Sequence, residues 1–453
     1  MEIETESRLV RLCIEAACES RESVEKWRKQ RRTLNSMPSP LADALLRRLF
    51  LRRLLFPSLL EVFKRSAEVV DLKGENNVDA EWMAYLGAFR YLRSLNLADC
   101  HRINNSALWS LVGMASLKEV DISRCAKVTD AGIRHLVSIS TLQILRISET
   151  GVTADGIKLL SSLTNLFVLD MGGLPVTDTA LSSLQALTKL EYLDLWGSNI
   201  SNKGATVLQK FPKLKFLGLA WTNVTILPNL SSLECLNLSN CTINSVLQGF
   251  IHQDGAEPNL ISSLTALHSL KGLESLNLEC ANIKDAAVDP LSSFQELRLL
   301  SLKSPSLTDI SLYHLSSLPK IRNLGIREAV LTDSGLFSFR PPATLEMLDL
   351  RGCWLLTEDA ILSFRKRHPQ IELRHEHVVS TSHQTARNRQ TPPRTFLRPP
   401  QANQKQEKLI VSQYFIDQRL KYTREELLAL QFQSSSLGSP FDKSHAKPQM
   451  QSD

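Results

Sequence analysis

Apolar residues return along this chain with a fixed beat. Leu92, Leu95 and Leu97 open "LRSLNLADC". The same spacing follows in "LKEVDISRC" from Leu117, "LQILRISET" from Leu142, "LEYLDLWGS" from Leu190 and "LKFLGLAWT" from Leu214. It continues in "LECLNLSNC" from Leu233, "LESLNLECA" from Leu273 and "LEMLDLRGC" from Leu345. The template is L-x-x-L-x-L. Its starts at 92, 117, 142, 166, 190 and 214, and again at 273, 297, 321 and 345, lie 24 or 25 residues apart. Alternating residues of a short strand point opposite ways, so the leucines face a core and the residues between them face outward. Strands of this type at this period predict leucine-rich repeats.

The second half of each unit agrees. "VTDAGIRHL", "VTDTALSSL", "LTDISLYHL" and "LTDSGLFSF" begin with Thr-Asp before apolar residues at helical spacing. Thr and Asp cap helix starts by accepting backbone N–H bonds. Each unit therefore reads as strand, turn and capped helix. One unit cannot bury its apolar face, but a stack can. The expected fold is an α/β solenoid, a horseshoe with a parallel concave sheet and convex helices.

The pattern also marks the divisions. Residues 1–66 lack the repeat and read as amphipathic helices, with Pro57 interrupting or restarting one. They serve either as the cap a terminal repeat needs or as a Leu-rich docking box for a ubiquitin-ligase scaffold. "AEVVDLKGE" reads as a first, degenerate strand. Repeats fill 67–247 and 260–378. Between them, 248–259 reads as an irregular insertion or repeat-loss junction, broken by Gly249, Gly255 and Pro258, with the strands on either side still adjacent. From 379 to 453 the chain is polar, basic and proline-dotted, as in disordered segments.

Composition narrows the function. The chain has 453 residues, is 43% hydrophobic and carries a formal charge of +6. It contains no run of roughly 18 apolar residues, and "MEIETESRLVRL" has no signal-peptide core. Eight scattered cysteines suit a reducing compartment. A cytoplasmic protein without a membrane partner is expected. Cys100, Cys125, Cys241 and Cys353 share the ninth template position, so they cannot converge on one metal; they read as small structural residues. This placement resembles the cysteine-containing class of leucine-rich repeats, common in intracellular ubiquitin-ligase receptors.

Catalytic signatures are missing: no phosphate loop, no His-Glu-x-x-His helix and no nucleophile elbow. "HEH" at 375–377 is either a metal donor pair or a solvated end of the solenoid. No enzyme activity and no cofactor are expected. Candidate contacts instead lie on the concave face. Tyr192, Trp196, Phe216 and Trp221 fall on neighbouring repeats, flanked by Asp170 and Asp194. Exposed aromatics of this kind are common binding hot spots, or they tile against one another. Lys303, Arg327 and Arg351 share one template position and read as a basic ladder, either a binding site for an acidic partner or a solvated face. Direct nucleic-acid binding is left open.

One stretch of the tail departs from its surroundings. In "KYTREELLALQF", residues 421–432, Thr423 and Glu426 form a capping box, and Tyr422 and Leu427 a hydrophobic staple. Leu427, Leu428 and Leu430 give an apolar surface. So short a helix is marginal alone in water, so it awaits a partner's groove or its own solenoid. Tyr422, four residues, Leu427 and Leu428 resemble the Tyr-x4-Leu-apolar motif of proteins that bind the cap-binding translation initiation factor 4E. In that family the motif docks on the factor's convex back, away from the cap pocket. From about Arg8 to Gln431, including "PSPLADALLRRL" and "GENNVDAEWMAYLGAFRYLRSLN", the chain resembles plant leucine-rich-repeat partners of factor 4E and its plant isoform. Those relatives have a longer repeat array, and the shortfall sits at "LQGFIHQDGAEPN". The resemblance implies a non-enzymatic adaptor in translation initiation, its solenoid holding a second protein of the initiation machinery. The alternative is a ubiquitin-ligase substrate receptor.

Overall fold

The computed structural model describes residues 8–29, 37–224, 227–241, 270–281 and 283–378. The segment at 248–259, and the tail from 379 with the motif at 421–432, lie outside the described residues.

The repeats build one parallel sheet of thirteen strands in strict chain order. They are β1 (Val69–Asp71), β2 (Ser94–Asn96), β3 (Glu119–Asp121), β4 (Ile144–Arg146), β5 (Val168–Asp170), β6 (Tyr192–Asp194), β7 (Phe216–Gly218), β8 (Cys235–Asn237), β9 (Ser275–Glu279), β10 (Leu299–Lys303), β11 (Asn323–Arg327), β12 (Met347–Asp349) and β13 (Glu372–Arg374). Each template residue pairs with its equivalent on the next strand, as in Leu169↔Leu193 and Leu193↔Leu217. The template leucines are buried throughout. Strands β8 and β9, far apart in sequence, also pair in register, with Leu236 opposite Leu276. The solenoid therefore continues across the break. It is a leucine-rich-repeat horseshoe, with one strand beyond the last template match.

The N-terminal segment folds into α1 (Arg8–Ala17), α2 (Arg21–Arg28) and α3 (Ser39–Leu51). Helix α3 buries Ala42, Leu45, Leu46 and Leu49. Its Asp43 carboxylate accepts the backbone N–H groups of Glu68 (3.0 Å) and Val69 (3.1 Å). Those amides lie at the first edge of the sheet, where a strand has no neighbour to pair with. Helix α3 is thus tied to the first strand through Asp43.

The Thr-Asp pairs divide their work differently from the sequence expectation. Thr is the helix cap: the hydroxyl of Thr332 accepts the N–H of Gly335. Asp, one residue inside the helix, reaches instead to the next repeat. Asp309 accepts both the N–H (2.9 Å) and the hydroxyl (2.6 Å) of Thr332. The same bracket links Asp130 to Thr153, Asp178 to Ser201, Asp285 to Thr308 and Asp333 to Thr357. Side chains of a helix's first turn lean toward its N-terminus, which aims Asp outward at the following unit.

A second regularity escapes the leucine template. The eighth position turns the chain out of the strand with positive φ in repeat after repeat, at Asp99, Arg124, Glu149, Gly173, Gly197, Trp221, Asn240, Cys280, Glu328 and Gly352. Left-handed backbone is uncommon for a residue as bulky as Trp221.

Candidate functional site

The sheet's outward face is built from the third, fifth and seventh template positions. Read down the stack, the third position gives Ile144, Val168, Tyr192, Phe216 and Cys235, each directly opposite the next. All five are half-buried. They form one apolar stripe across β4 to β8. Tyr192 and Phe216 stack at its centre, with ring centroids 4.1 Å apart and planes 4° from parallel. The two rings thus tile against each other while keeping one side toward the concave space. Ile144, Val168 and Cys235 were not singled out in the sequence, because none is aromatic; reading one template column down successive repeats would have found them.

Trp196 and Trp221 are placed differently. Trp196, at the seventh position, lies over the Gly172–Gly173 backbone of the preceding repeat. A Cβ on Gly172 would fall 1.9 Å from the indole Nε1. Its half-buried ring therefore packs as well as facing outward, and only glycine leaves it room. Trp221 occupies the left-handed turn and is 58% exposed, on the rim of the sheet rather than on its face.

The fifth position runs parallel to the stripe: Asp121, Arg146, Asp170, Asp194, Gly218 and Asn237. Arg146 pairs with Glu119 at 2.8 Å. Asp170 accepts the N–H of Gly172, and Asp194 that of Trp196. Neither carboxylate has an ion-pair partner among the described residues. Burial, reinforced by the Asp170 charge, pushes the Asp194 carboxyl up to about 6. Burial likewise raises Asp170, against the hydrogen bond from Gly172. Burial and the two acids together raise the Tyr192 phenol.

This has a measurable consequence. Between the ordinary carboxyl value and about 6, the folded state keeps a proton on Asp194 that the unfolded chain has lost. Stability therefore falls as pH rises through that window, by on the order of 1–3 kcal/mol for a shift of this size. Asp194→Asn should be more stable than the parent at pH 7.5, and the difference should close below about pH 4. Thermal melts across that range check this; a variant less stable than the parent at pH 7.5 would contradict it.

The basic ladder is present but compensated. Lys303 and Arg327 lie in register on β10 and β11. Lys303 pairs with Glu328 at 2.9 Å, Arg327 with Glu279, and Arg351 with Asp349 at 2.6 Å. Three carboxylates interleave with the three cations, so the ladder offers little net field to an acidic ligand.

The ninth-position cysteines are buried, and each thiol donates to a backbone carbonyl of the preceding repeat. Cys100 reaches Leu72 O (3.2 Å), Cys125 Leu97 O (3.2 Å), Cys241 Leu219 O (3.1 Å) and Cys353 Ile326 O (3.2 Å). Burial pushes the Cys125 thiol up to about 12, so it stays protonated. At the far end, His375 is buried rather than solvated, its Nε2 3.4 Å from Cys353 O. The extra strand β13 places it beneath the last turn. Among the described residues, no group of three His, Cys, Asp or Glu could hold a metal, and no helix is long and apolar enough to cross a membrane.

No family model and no curated protein matches the chain. Solved structures do. Internalin C2 of Listeria monocytogenes is 20% identical over 55% of this chain and 84% of its own, with a TM-score of 0.33. Internalin F of the same organism is 19% identical over 65% and 88%, at 0.39. The mouse RP105/MD-1 complex gives 19% over 70% and 56%, at 0.44. At these scores the likeness carries no argument of its own. The thirteen-stranded parallel sheet in chain order makes the chain a leucine-rich-repeat solenoid.

Proposed function

We propose that the protein is a non-enzymatic adaptor in translation initiation. Tyr422, Leu427 and Leu428 bind the cap-binding initiation factor 4E and its plant isoform, while the concave face holds a second protein of the initiation machinery. The observation that carries this reading is the tail motif, in which the Tyr-x4-Leu-apolar spacing coincides with a capping box at Thr423 and Glu426. The chain's resemblance to CERES, a plant leucine-rich-repeat partner of factor 4E, supports it, and the proposal places the protein in the cytoplasm. Affinity purification of the full chain, beside a version ending at Val378, tests the assignment. Factor 4E should accompany the full chain and be lost from the shortened one. Recovery of cullin-scaffold components with both, and of factor 4E with neither, would assign the protein to a ubiquitin ligase instead.

A further inference from the structure

The middle of the concave face combines two features that contacts among the described residues satisfy only in part. The first is the apolar stripe from Ile144 to Cys235. It crosses five strands, about 19 Å at ~4.8 Å per strand. That is the reach of about six extended residues or twelve helical ones. The second is a surplus of acid beside it. Among the described residues of these strands, Glu119, Asp121, Asp170 and Asp194 share one guanidinium, Arg146, which Glu119 already engages. Asp170 and Asp194 are adjacent and in register. Backbone N–H groups hold both carboxylates in place (3.0 Å from Gly172, 3.1 Å from Trp196). The Asp194 carboxylate lies directly over Gly218, where any side chain would clash with it, so glycine there fixes the carboxylate's place.

We propose that this face docks a polypeptide segment that lays apolar side chains along Ile144, Val168, Tyr192, Phe216 and Cys235 and seats a lysine or arginine against Asp170 and Asp194. The inference rests on the reading of the concave face as a protein-binding surface and names the chemistry of its partner. Asp170 and Asp194 are adjacent, half-buried carboxylates, and Arg146 opposite Asp170 is already engaged by Glu119, so the pair raises the energy of the free protein. An incoming ammonium or guanidinium relieves that repulsion and makes charge-assisted hydrogen bonds in partly dry surroundings. The carboxylates are already fixed by the backbone, so little ordering opposes the contact. The same acid surplus repels phosphate, which sets a nucleic acid aside at this face.

A displayed library of random 16-residue peptides, selected on the immobilised full chain, tests the proposal. Selected peptides should combine lysine or arginine with aromatic or aliphatic residues. Their affinity, read by fluorescence polarisation, should fall tenfold or more on Asp170→Asn with Asp194→Asn, and likewise on Phe216→Ala. Thermal melts accompany each variant; the Asn pair relieves like-charge repulsion, so its loss of binding cannot be put down to unfolding. Peptides that lose affinity on Phe216→Ala but keep it on the Asn pair would overturn the cationic partner and leave the binding face standing. Peptides indifferent to both changes, or no selected peptide at all, would overturn both.

Discussion

Asp309→Ala should destabilise the solenoid by about 2–4 kcal/mol, although Asp309 lies far from every candidate contact. Its carboxylate accepts two hydrogen bonds from Thr332, which starts the helix of the next repeat. Hydrogen bonds to a charged group contribute about 1.5–3 kcal/mol each, and two on one carboxylate sum to less than twice that. The contact is close enough that a Cβ on Gly335 would fall 2.0 Å from Asp309 Oδ1. The bracket joins neighbouring units, and a solenoid's stability is largely the sum of such interfaces, so its loss is felt along the stack. Asp155 supplies the control, since among the described residues its exposed side chain pairs with Lys158 three residues on, within its own helix. Urea unfolding of Asp309→Ala and Asp155→Ala should show a clear fall in midpoint for the first and almost none for the second. Equal shifts would show that the brackets between repeats are not what carries stability.

The solenoid was legible because its signal is written many times over. Leucines at fixed spacing leave no other way to bury the apolar face of each unit, so strand positions, parallel pairing and continuation past the break all follow. Features that depend on the neighbouring repeat were less visible. Nothing in "LTDSG" separates the capping Thr332 from the bracing Asp309-type residue beside it; only stacking shows which repeat each one serves. Trp196 and Trp221 look alike in sequence, yet one rests on Gly172 and Gly173 while the other stands on the rim in a left-handed turn. The compensation of Lys303, Arg327 and Arg351 was partly hidden: Glu279 shares their template position, but Glu328 and Asp349 sit at other positions and meet the cations only in three dimensions.

The other large effect is expected in the tail. Tyr422→Ala with Leu427→Ala should weaken binding to the cap-binding factor by at least a hundredfold. The capping-box sequence at Thr423 and Glu426 suits a helix start formed on a partner and would lower the cost of that coupled folding. Leucine side chains such as Leu427 and Leu428 contribute roughly 1.5–3 kcal/mol each when fully enclosed, and Tyr422 adds a ring whose hydroxyl finds a polar neighbour. Together these support micromolar or tighter binding, near 8 kcal/mol, of which the double substitution removes about 3 kcal/mol or more. Arg424 is not part of the Tyr-x4-Leu-apolar motif, so Arg424→Ala should change little.

Calorimetric titration of purified factor 4E into the full chain, with and without cap analogue, is therefore the most direct test of the translation assignment. The parent and Arg424→Ala should bind with similar affinity whether or not cap analogue is present, and the Tyr422→Ala, Leu427→Ala chain should not bind measurably. Equal binding by all three, or none by the parent, would contradict the account.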